Sequence, residues 1–120
     1  MERLSAADFD GQRLRREGSW GVCFSADWCP FCRAFLRPFA ALEHSQDFQS
    51  AIGDLTDTDS PLWELFSIDV VPTMVAFRNG EPIRRWDGVL GSGLRSEDVE
   101  ALRALFAGPV NPEQSGKGTR

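Results

Sequence analysis

Cys29 and Cys32 are the residues whose types and spacing carry the clearest chemistry. They lie in the segment 26–32, Ala-Asp-Trp-Cys-Pro-Phe-Cys, after an apolar run and before a helical pattern. One helical turn brings two cysteines at this spacing within disulfide distance. A helix N-terminus also carries partial positive charge and free N–H groups, which favour a thiolate. The segment is therefore suited to thiol–disulfide exchange, in which one reactive sulfur works beside another.

The composition argues against several kinds of partner. The 120 residues carry a net charge of −5, whereas nucleic-acid binding requires a basic face. No apolar run approaches the ~20 residues of a membrane span, and no apolar signal-peptide segment follows Met1. An odd count of three cysteines is untypical of a disulfide-stapled secreted domain. We therefore expect a single-domain cytoplasmic protein without nucleic-acid or membrane partners.

Strand and helix signals flank the cysteine pair. The apolar run 20–26 predicts a buried central strand. Cys29 is suited to the N-cap of a long helix because Pro30 follows at the first helical position, where a missing N–H costs nothing. Pro38 lies inside this helix and predicts a kink. The expected apolar face of the helix consists of Phe31, Phe35, Phe39 and Leu42.

The rest of the chain predicts short elements around this centre. Ser5 is the expected N-cap of a short first helix, and Asn79-Gly80 is a type I′ hairpin signal between two strands. Ser96 is the expected N-cap of the last helix, which Gly108 ends. The remaining predicted elements are a strand over 50–55, a short helix from Ser60-Pro61, and strands over 74–77 and 83–86. We expect a folded domain over residues 1–108 and a disordered tail over 109–120.

The order of these elements indicates the fold class, and three motifs sharpen it. Strands that alternate with helices and end in an antiparallel hairpin imply an α/β protein with helices on both faces of a mixed sheet. Trp-Cys-Pro-Phe-Cys at 28–32, Val-Pro-Thr at 71–73 and Phe-Arg-Asn-Gly at 77–80 resemble the thioredoxin family from Leu4 to Phe106. The resemblance implies the thioredoxin fold, with a central mixed sheet of four strands, or five if a short first edge strand is present.

The resemblance also implies roles for individual residues. Cys29 is then the attacking thiol, Cys32 the resolving thiol, and Pro72 a cis-proline whose loop faces both sulfurs. Backbone groups of Val71 are expected to pair with an extended substrate segment. The residues implied for the active-site loop and the apolar rim that docks substrate are Trp28, Pro30, Phe31, Val71, Pro72, Gly88 and Val89.

Four features depart from the family pattern. The Pro30-Phe31 pair between the cysteines is similar to that of glutaredoxins, and it predicts a less reducing protein than a typical thioredoxin. Cys23 stands where the family has a buried aspartate that is thought to help deprotonate the resolving thiol. The kink proline, Pro38, falls one residue later than usual, and only Met1–Arg3 precede the first helix.

The function that the resemblance favours is a thiol–disulfide oxidoreductase, a protein disulfide reductase that works through a mixed disulfide of its Cys29/Cys32 dithiol. The electron pair resides in the cysteines, so we expect no bound cofactor and no metal. The expected partners are disulfide-containing protein substrates and an upstream dithiol reductase. The protein is expected to be a monomer.

Two other classes of function stay open. A non-catalytic thioredoxin-like adaptor or subunit would keep the cysteines without turnover. A metal-binding module would hold zinc or an iron–sulfur cluster, although His44 lies about three helical turns beyond Cys32, too far to complete a zinc site. Cys23, inside an apolar strand, is interpreted as a small buried hydrophobe rather than a third redox thiol.

Overall fold

The main sheet is centred on a strand that is covered on both faces. The computed structural model describes residues 1–107. Strand β4 (Ser19–Ser25) lies in the middle of the sheet, and its residues 20–25 are all buried. The predicted strand over 20–26 is therefore confirmed with a shift of one residue. The other strands are β1 (Arg3–Leu4), β2 (Phe9–Asp10), β3 (Arg13–Leu14), β5 (Gln49–Asp54), β6 (Thr73–Arg78) and β7 (Glu81–Trp86).

The sheet is mixed and has five strands in the order β1-β5-β4-β6-β7. β1 is parallel to β5 and β5 is parallel to β4, whereas β6 is antiparallel to both β4 and β7. The short first edge strand is thus present, as the two-residue β1. Because β4 and β5 are parallel, the loops that follow Ser25 and Asp54 lie at the same edge of the sheet, where ligands bind in open α/β sheets.

Helices cover both faces of the sheet, as the element order predicts. The helices are α1 (Pro30–Ala40), α2 (Leu62–Leu65) and α3 (Ser96–Phe106), with 3₁₀ segments at Ala6–Asp8 and Ala41–His44. α1 and α3 pack on one face, where Phe35 and Leu102 join Cys23 in a buried cluster. The other face carries α2, and there the rings of Phe24 and Phe66 are 4.7 Å apart. The thioredoxin fold is therefore confirmed.

Helix α1 begins where the sequence predicts. Cys29 is its N-cap, with φ −96° and ψ 116°, and Pro30 follows at the first turn. Pro38 lies inside the helix, which passes into the 3₁₀ segment at Ala41. The placement of Phe31 on the buried face was wrong, because its side chain is 43% exposed while the other three expected members are buried. On the same turn the buried side chain is that of the next residue, Cys32.

The structure adds a small hairpin that the sequence did not reveal. β2 and β3 pair antiparallel around Gly11, whose φ of +60° suits glycine. The polar character of residues 11–19 hid this hairpin, although Leu14 within it is buried. The predicted first helix is a 3₁₀ turn, capped by Ser5 as expected. Asn79 and Gly80 both have positive φ, +49° and +89°, which confirms the type I′ signal.

The last helix starts one residue earlier than predicted. Ser96, the expected N-cap, is the first helical residue, and Arg95 takes the cap position. The carboxylate of Asp98 accepts the backbone N–H of Arg95 at 2.8 Å, so an acidic side chain supplies the cap. Gly108 and the predicted tail over 109–120 lie outside the described residues. Within residues 1–107, no helix has both the length and the apolar character that a membrane span needs.

Candidate functional site

Cys29 lies at the N-cap of α1, in the loop that follows β4. Its sulfur accepts a hydrogen bond from the backbone N–H of Cys32 at 3.2 Å. Across the site, the thiol donates to the carbonyl oxygen of Val71 at 3.7 Å. Only 4% of Cys29 is exposed, so an incoming disulfide has a narrow approach to it. The backbone N–H of Cys32 and the positive end of the helix dipole thus both face this sulfur.

Cys32 is fully buried on the first turn of α1. Burial is the main reason that the pKa of its thiol is raised to about 12, and its hydrogen bond with Cys29 raises the pKa further. A hydrogen bond with the backbone of Ala26 opposes both effects. Cys32 is therefore a protonated thiol at neutral pH, and it must lose its proton before it can attack another sulfur.

The loop before β6 faces the two thiols. The Val71–Pro72 peptide bond is cis, as the resemblance implies. The hydroxyl of Thr73 donates to the carbonyl oxygen of Val70 at 2.8 Å and so ties this loop internally. Gly88 lies directly against the loop, because a Cβ on Gly88 would stand 2.4 Å from the carbonyl oxygen of Pro72. The absence of a side chain at Gly88 is what allows this close approach.

Trp28 is exposed beside Cys29 and is held by a second tryptophan. Its side chain is 51% exposed, and its indole N–H donates to the carbonyl oxygen of Thr56 at 2.9 Å. Its ring stacks on Trp63 with centroids 6.2 Å apart and planes 8° apart. The pairing arises because α2, which carries Trp63, lies beside the loop in which Trp28 precedes α1.

Phe31 lies next to the loop that contains Val89 and Gly93. A Cβ on Gly93 would stand 2.9 Å from Cβ of Phe31 and 3.3 Å from Cδ of Pro72, so this loop packs between them. Backbone pairing of Val89 with Gly93 closes the loop. Val89 is 60% exposed. Leu90 is 86% exposed, and the sequence analysis did not single it out. The only sign of a functional role is the exposure of such a large apolar side chain.

Cys23 lies in the apolar cluster under α1 and is fully buried. Burial raises the pKa of its thiol well above the usual value, and the proximity of Cys32 and Cys29 adds to the effect. Ser25 and Thr73 are the polar residues buried within the described part of the chain, so no carboxylate is buried there. Among residues 1–107, no three histidine, cysteine or acidic side chains are grouped to hold a metal ion.

These features define a class of protein. A mixed α/β sheet presents two thiols at the start of a helix, opposite a carbonyl group beside a cis-proline. Two thiols placed in this way can exchange with a disulfide, and no third sulfur takes part in the reaction. The chain belongs to the thioredoxin family: the Thioredoxin family profile matches residues 1–97.

Individual relatives agree with this assignment. The chain is 33% identical over 87 residues to "Thioredoxin-2, mitochondrial" of Schizosaccharomyces pombe, which covers 72% of this chain and 59% of the relative. It is 28% identical over 79 residues to "Bifunctional thioredoxin reductase/thioredoxin" of Mycobacterium leprae, which covers 65% of this chain and 17% of the relative. The chain thus spans less than two thirds of the length of these two proteins.

Solved structures share the fold. Thioredoxin f2 of Chlamydomonas reinhardtii has a TM-score of 0.73 at 19% identity, over 92% of this chain and 99% of that one. The thioredoxin of Malassezia sympodialis has a TM-score of 0.70 at 19% identity, over 90% of this chain and 91% of that one. At these identities the likeness shows the fold alone.

Proposed function

We propose that this protein is a thiol–disulfide oxidoreductase that reduces protein disulfides with the Cys29/Cys32 dithiol. The observation that carries the proposal is the environment of the Cys29 sulfur. It sits at the N-cap of α1, 3.2 Å from the Cys32 N–H and beside the cis-proline loop. Membership of the thioredoxin family and the names of the two curated relatives support the same chemistry.

The proposed reaction has two exchange steps. The Cys29 thiolate attacks one sulfur of the substrate disulfide, forms a mixed disulfide and releases the other substrate sulfur as a thiolate, which takes up a proton. Cys32 then loses its proton and attacks Cys29. The Cys29–Cys32 disulfide forms and the second substrate sulfur leaves as a thiolate, which is also protonated. Two electrons have passed to the substrate, and an upstream dithiol reductase returns them to the protein.

The apolar surface around Cys29 is proposed to dock the substrate. Trp28 and Val89 are exposed on two sides of the cis-proline loop, and within that loop the carbonyl oxygen of Val71 lies 3.7 Å from the Cys29 sulfur. An extended substrate segment over this surface would find the backbone of Val71 beside it. The other proposed members are Pro30, which shapes the active-site loop, Phe31, which is exposed beside it, and Pro72 and Gly88, which fix the loop.

We further propose that the pair is less reducing than that of a typical thioredoxin. The Pro30-Phe31 dipeptide resembles that of glutaredoxins, whose potentials are higher by roughly 40–70 mV. The exposed Phe31 ring packs against Gly93, which places apolar surface next to the sulfurs. The proposal also includes a cytoplasmic location and a monomeric state. A reducing compartment would keep the dithiol, which is unpaired here, ready to donate electrons.

Insulin reduction by dithiothreitol tests the proposed function. We expect the wild-type protein to accelerate the reduction, and Cys29→Ser to abolish the acceleration. Cys23→Ala is the matched control, since it removes a cysteine that the two exchange steps do not use. If wild type and Cys29→Ser behave alike, the proposal fails and a non-catalytic adaptor is the better description. A loss of activity in Cys23→Ala equal to that in Cys29→Ser would contradict the assignment of the attacking thiol.

A further inference from the structure

A trough runs beside the cis-proline loop, on the side of α2. Its larger part is a cavity of about 700 Å³ whose lining includes Trp63, Glu64 and Asp69. A smaller cavity of about 270 Å³ follows, with Arg85 and Gly88 in its lining. The two cavities share residues 67 and 69, so they form one trough from Trp63 to Gly88. We call this surface the α2 trough.

Both ends of the α2 trough touch the surface proposed to dock substrate. At one end, Trp63 stacks on Trp28, with ring centroids 6.2 Å apart. At the other end, Gly88 lies against the carbonyl oxygen of Pro72. A polypeptide whose disulfide lies over Cys29 therefore has an open path into the trough.

The lining of the α2 trough carries negative charge that the protein does not neutralise. Among residues 1–107, the carboxylates of Asp59, Glu64 and Asp69 make no salt bridge. Arg85 is the one cationic side chain among the described residues of the lining. It is already engaged, because it pairs with Asp87 at 2.7 Å and donates to two backbone carbonyls. A cation brought by a partner would meet three free carboxylates.

The uncharged part of the lining suits the stem of a long cationic side chain. Trp63, Pro61 and Ile68 line the larger cavity together with the carboxylates. Lysine and arginine lay their methylene groups on apolar surface while the charged end reaches polar groups. An indole ring also attracts a cation placed over its face. Aromatic, apolar and acidic groups are thus combined in one cavity next to the active site.

We propose that the α2 trough binds a lysine- or arginine-containing segment that flanks the disulfide of the protein substrate. This inference rests on the proposed function and names the substrate class: disulfide proteins with a basic segment beside the reactive cystine. The net charge of −5 agrees with a cationic partner.

Two synthetic cystine peptides test the inference with the full chain. They are identical except for two residues beside one cysteine, which are Lys-Lys in one peptide and Glu-Glu in the other. We expect kcat/KM for reduction to be about tenfold higher for the Lys-Lys peptide at low salt, since each surface ion pair contributes up to about a fivefold gain. The preference is expected to shrink to about twofold in Glu64→Gln/Asp69→Asn.

A matched variant separates the effect of the trough carboxylates from the effect of the protein's net charge. Glu17→Gln/Asp47→Asn changes the charge by the same amount, and neither of these residues lines the trough. This variant is expected to keep the wild-type preference. Equal reduction of the two peptides by wild type, or equal effects of the two double variants, would overturn the inference.

A binding measurement keeps the inference independent of turnover. Serine replaces cysteine in both peptides, and binding is followed by the tryptophan fluorescence of the protein. The Lys-Lys peptide is expected to bind wild type and the Glu17→Gln/Asp47→Asn variant alike, and to bind Glu64→Gln/Asp69→Asn about fivefold more weakly. If neither insulin nor the cystine peptides are reduced, the proposed function fails. This titration still shows whether the α2 trough binds a basic segment. Equal binding by all three proteins overturns the trough proposal alone.

Discussion

Two opposing effects act on the thiol of Cys32. Its complete burial raises the pKa, whereas a hydrogen bond with the backbone of Ala26 lowers it. Burial prevails, so the pKa of the thiol is raised to about 12. Beneath it lies Cys23, whose pKa is also raised by burial, in place of a carboxylate able to accept a proton. We expect the resolving step to be slow for this reason.

Cys23→Asp tests this expectation. A carboxylate beside the buried thiol acts as a general base, so we expect the second exchange step to accelerate about 100-fold, the lower end of what general bases contribute. Ellman's reagent reports both steps, because attack by Cys29 releases the first thionitrobenzoate and resolution by Cys32 releases the second. Cys23→Ala is the control and should leave the second phase slow. An unchanged second phase in Cys23→Asp would show that proton removal from Cys32 is not limiting.

The buried thiols also predict a loss of stability at alkaline pH. A raised pKa means that the folded state keeps the thiol neutral, whereas the unfolded chain ionises near the usual value of 9.0. Stability is therefore complete below pH 9 and falls as the pH rises from 9 toward 12. At pH 10 the Cys32 thiol is expected to cost about 1.4 kcal/mol of unfolding free energy, and the Cys23 thiol adds a loss of the same sign.

Urea unfolding of the reduced protein at pH 8 and pH 10 measures this loss. Few other side chains titrate between these pH values, since the sequence has no tyrosine and a single lysine, Lys117. Cys23→Ala should retain only the part of the loss that comes from Cys32, about 1.4 kcal/mol. A free energy of unfolding that stays constant between the two pH values would contradict the burial of both thiols.

Helix α2 and strand β7 are joined by one side chain. Arg85 on β7 donates to the carbonyl oxygens of Phe66 and Ser67, just after α2, and pairs with Asp87. The chain between Ser67 and the cis-proline loop is only a few residues long. Arg85 therefore links the end of α2 to the strand that leads to Gly88, and both flank the cis-proline loop.

Arg85→Leu is expected to lower the free energy of unfolding by about 2 kcal/mol, because hydrogen bonds from a charged donor contribute more than neutral ones. Arg84→Leu is a control from the adjacent position, where the guanidinium lies 4.9 Å from the Trp86 ring centroid. That contact should contribute less than about 1 kcal/mol. Chemical denaturation compares the two variants. Equal losses would refute a specific link through Arg85.

The elements that the sequence predicted best are those with a strong local signal. Cys29 and Pro30 predict the start of α1, and Asn79-Gly80 predicts the hairpin between β6 and β7. The β2–β3 hairpin was not predicted because only its two ends, Phe9 and Leu14, are buried and the residues between them are polar. Phe31 was misplaced because helical period alone does not reveal which side chain of the first turn is buried, and here it is Cys32. The stack of Trp28 on Trp63 joins a loop and a helix, α2, that are distant in sequence, so no local pattern predicts it.

The molecule as a whole follows from the alternation of strands and helices. That alternation predicted a mixed sheet covered on both faces, and the parallel pairing of β4 with β5 gathers the site at one edge. The cis bond before Pro72 and the facing position of its loop came from the family resemblance rather than from local physics. The unpaired carboxylates of the α2 trough were invisible in the sequence, since Asp59, Glu64 and Asp69 look like any solvated acidic residues until their surroundings are known.

The reduction potential of the Cys29–Cys32 pair tests the account most directly. Equilibration of the protein with glutathione buffers, followed by alkylation of the remaining thiols, gives the fraction of oxidised pair. We predict a reversible two-electron transition at roughly −230 to −200 mV, above the value of about −270 mV for thioredoxin. A midpoint at or below about −270 mV would refute the proposed effect of Pro30-Phe31. The absence of any reversible transition would contradict the central claim that these two cysteines form a working redox pair.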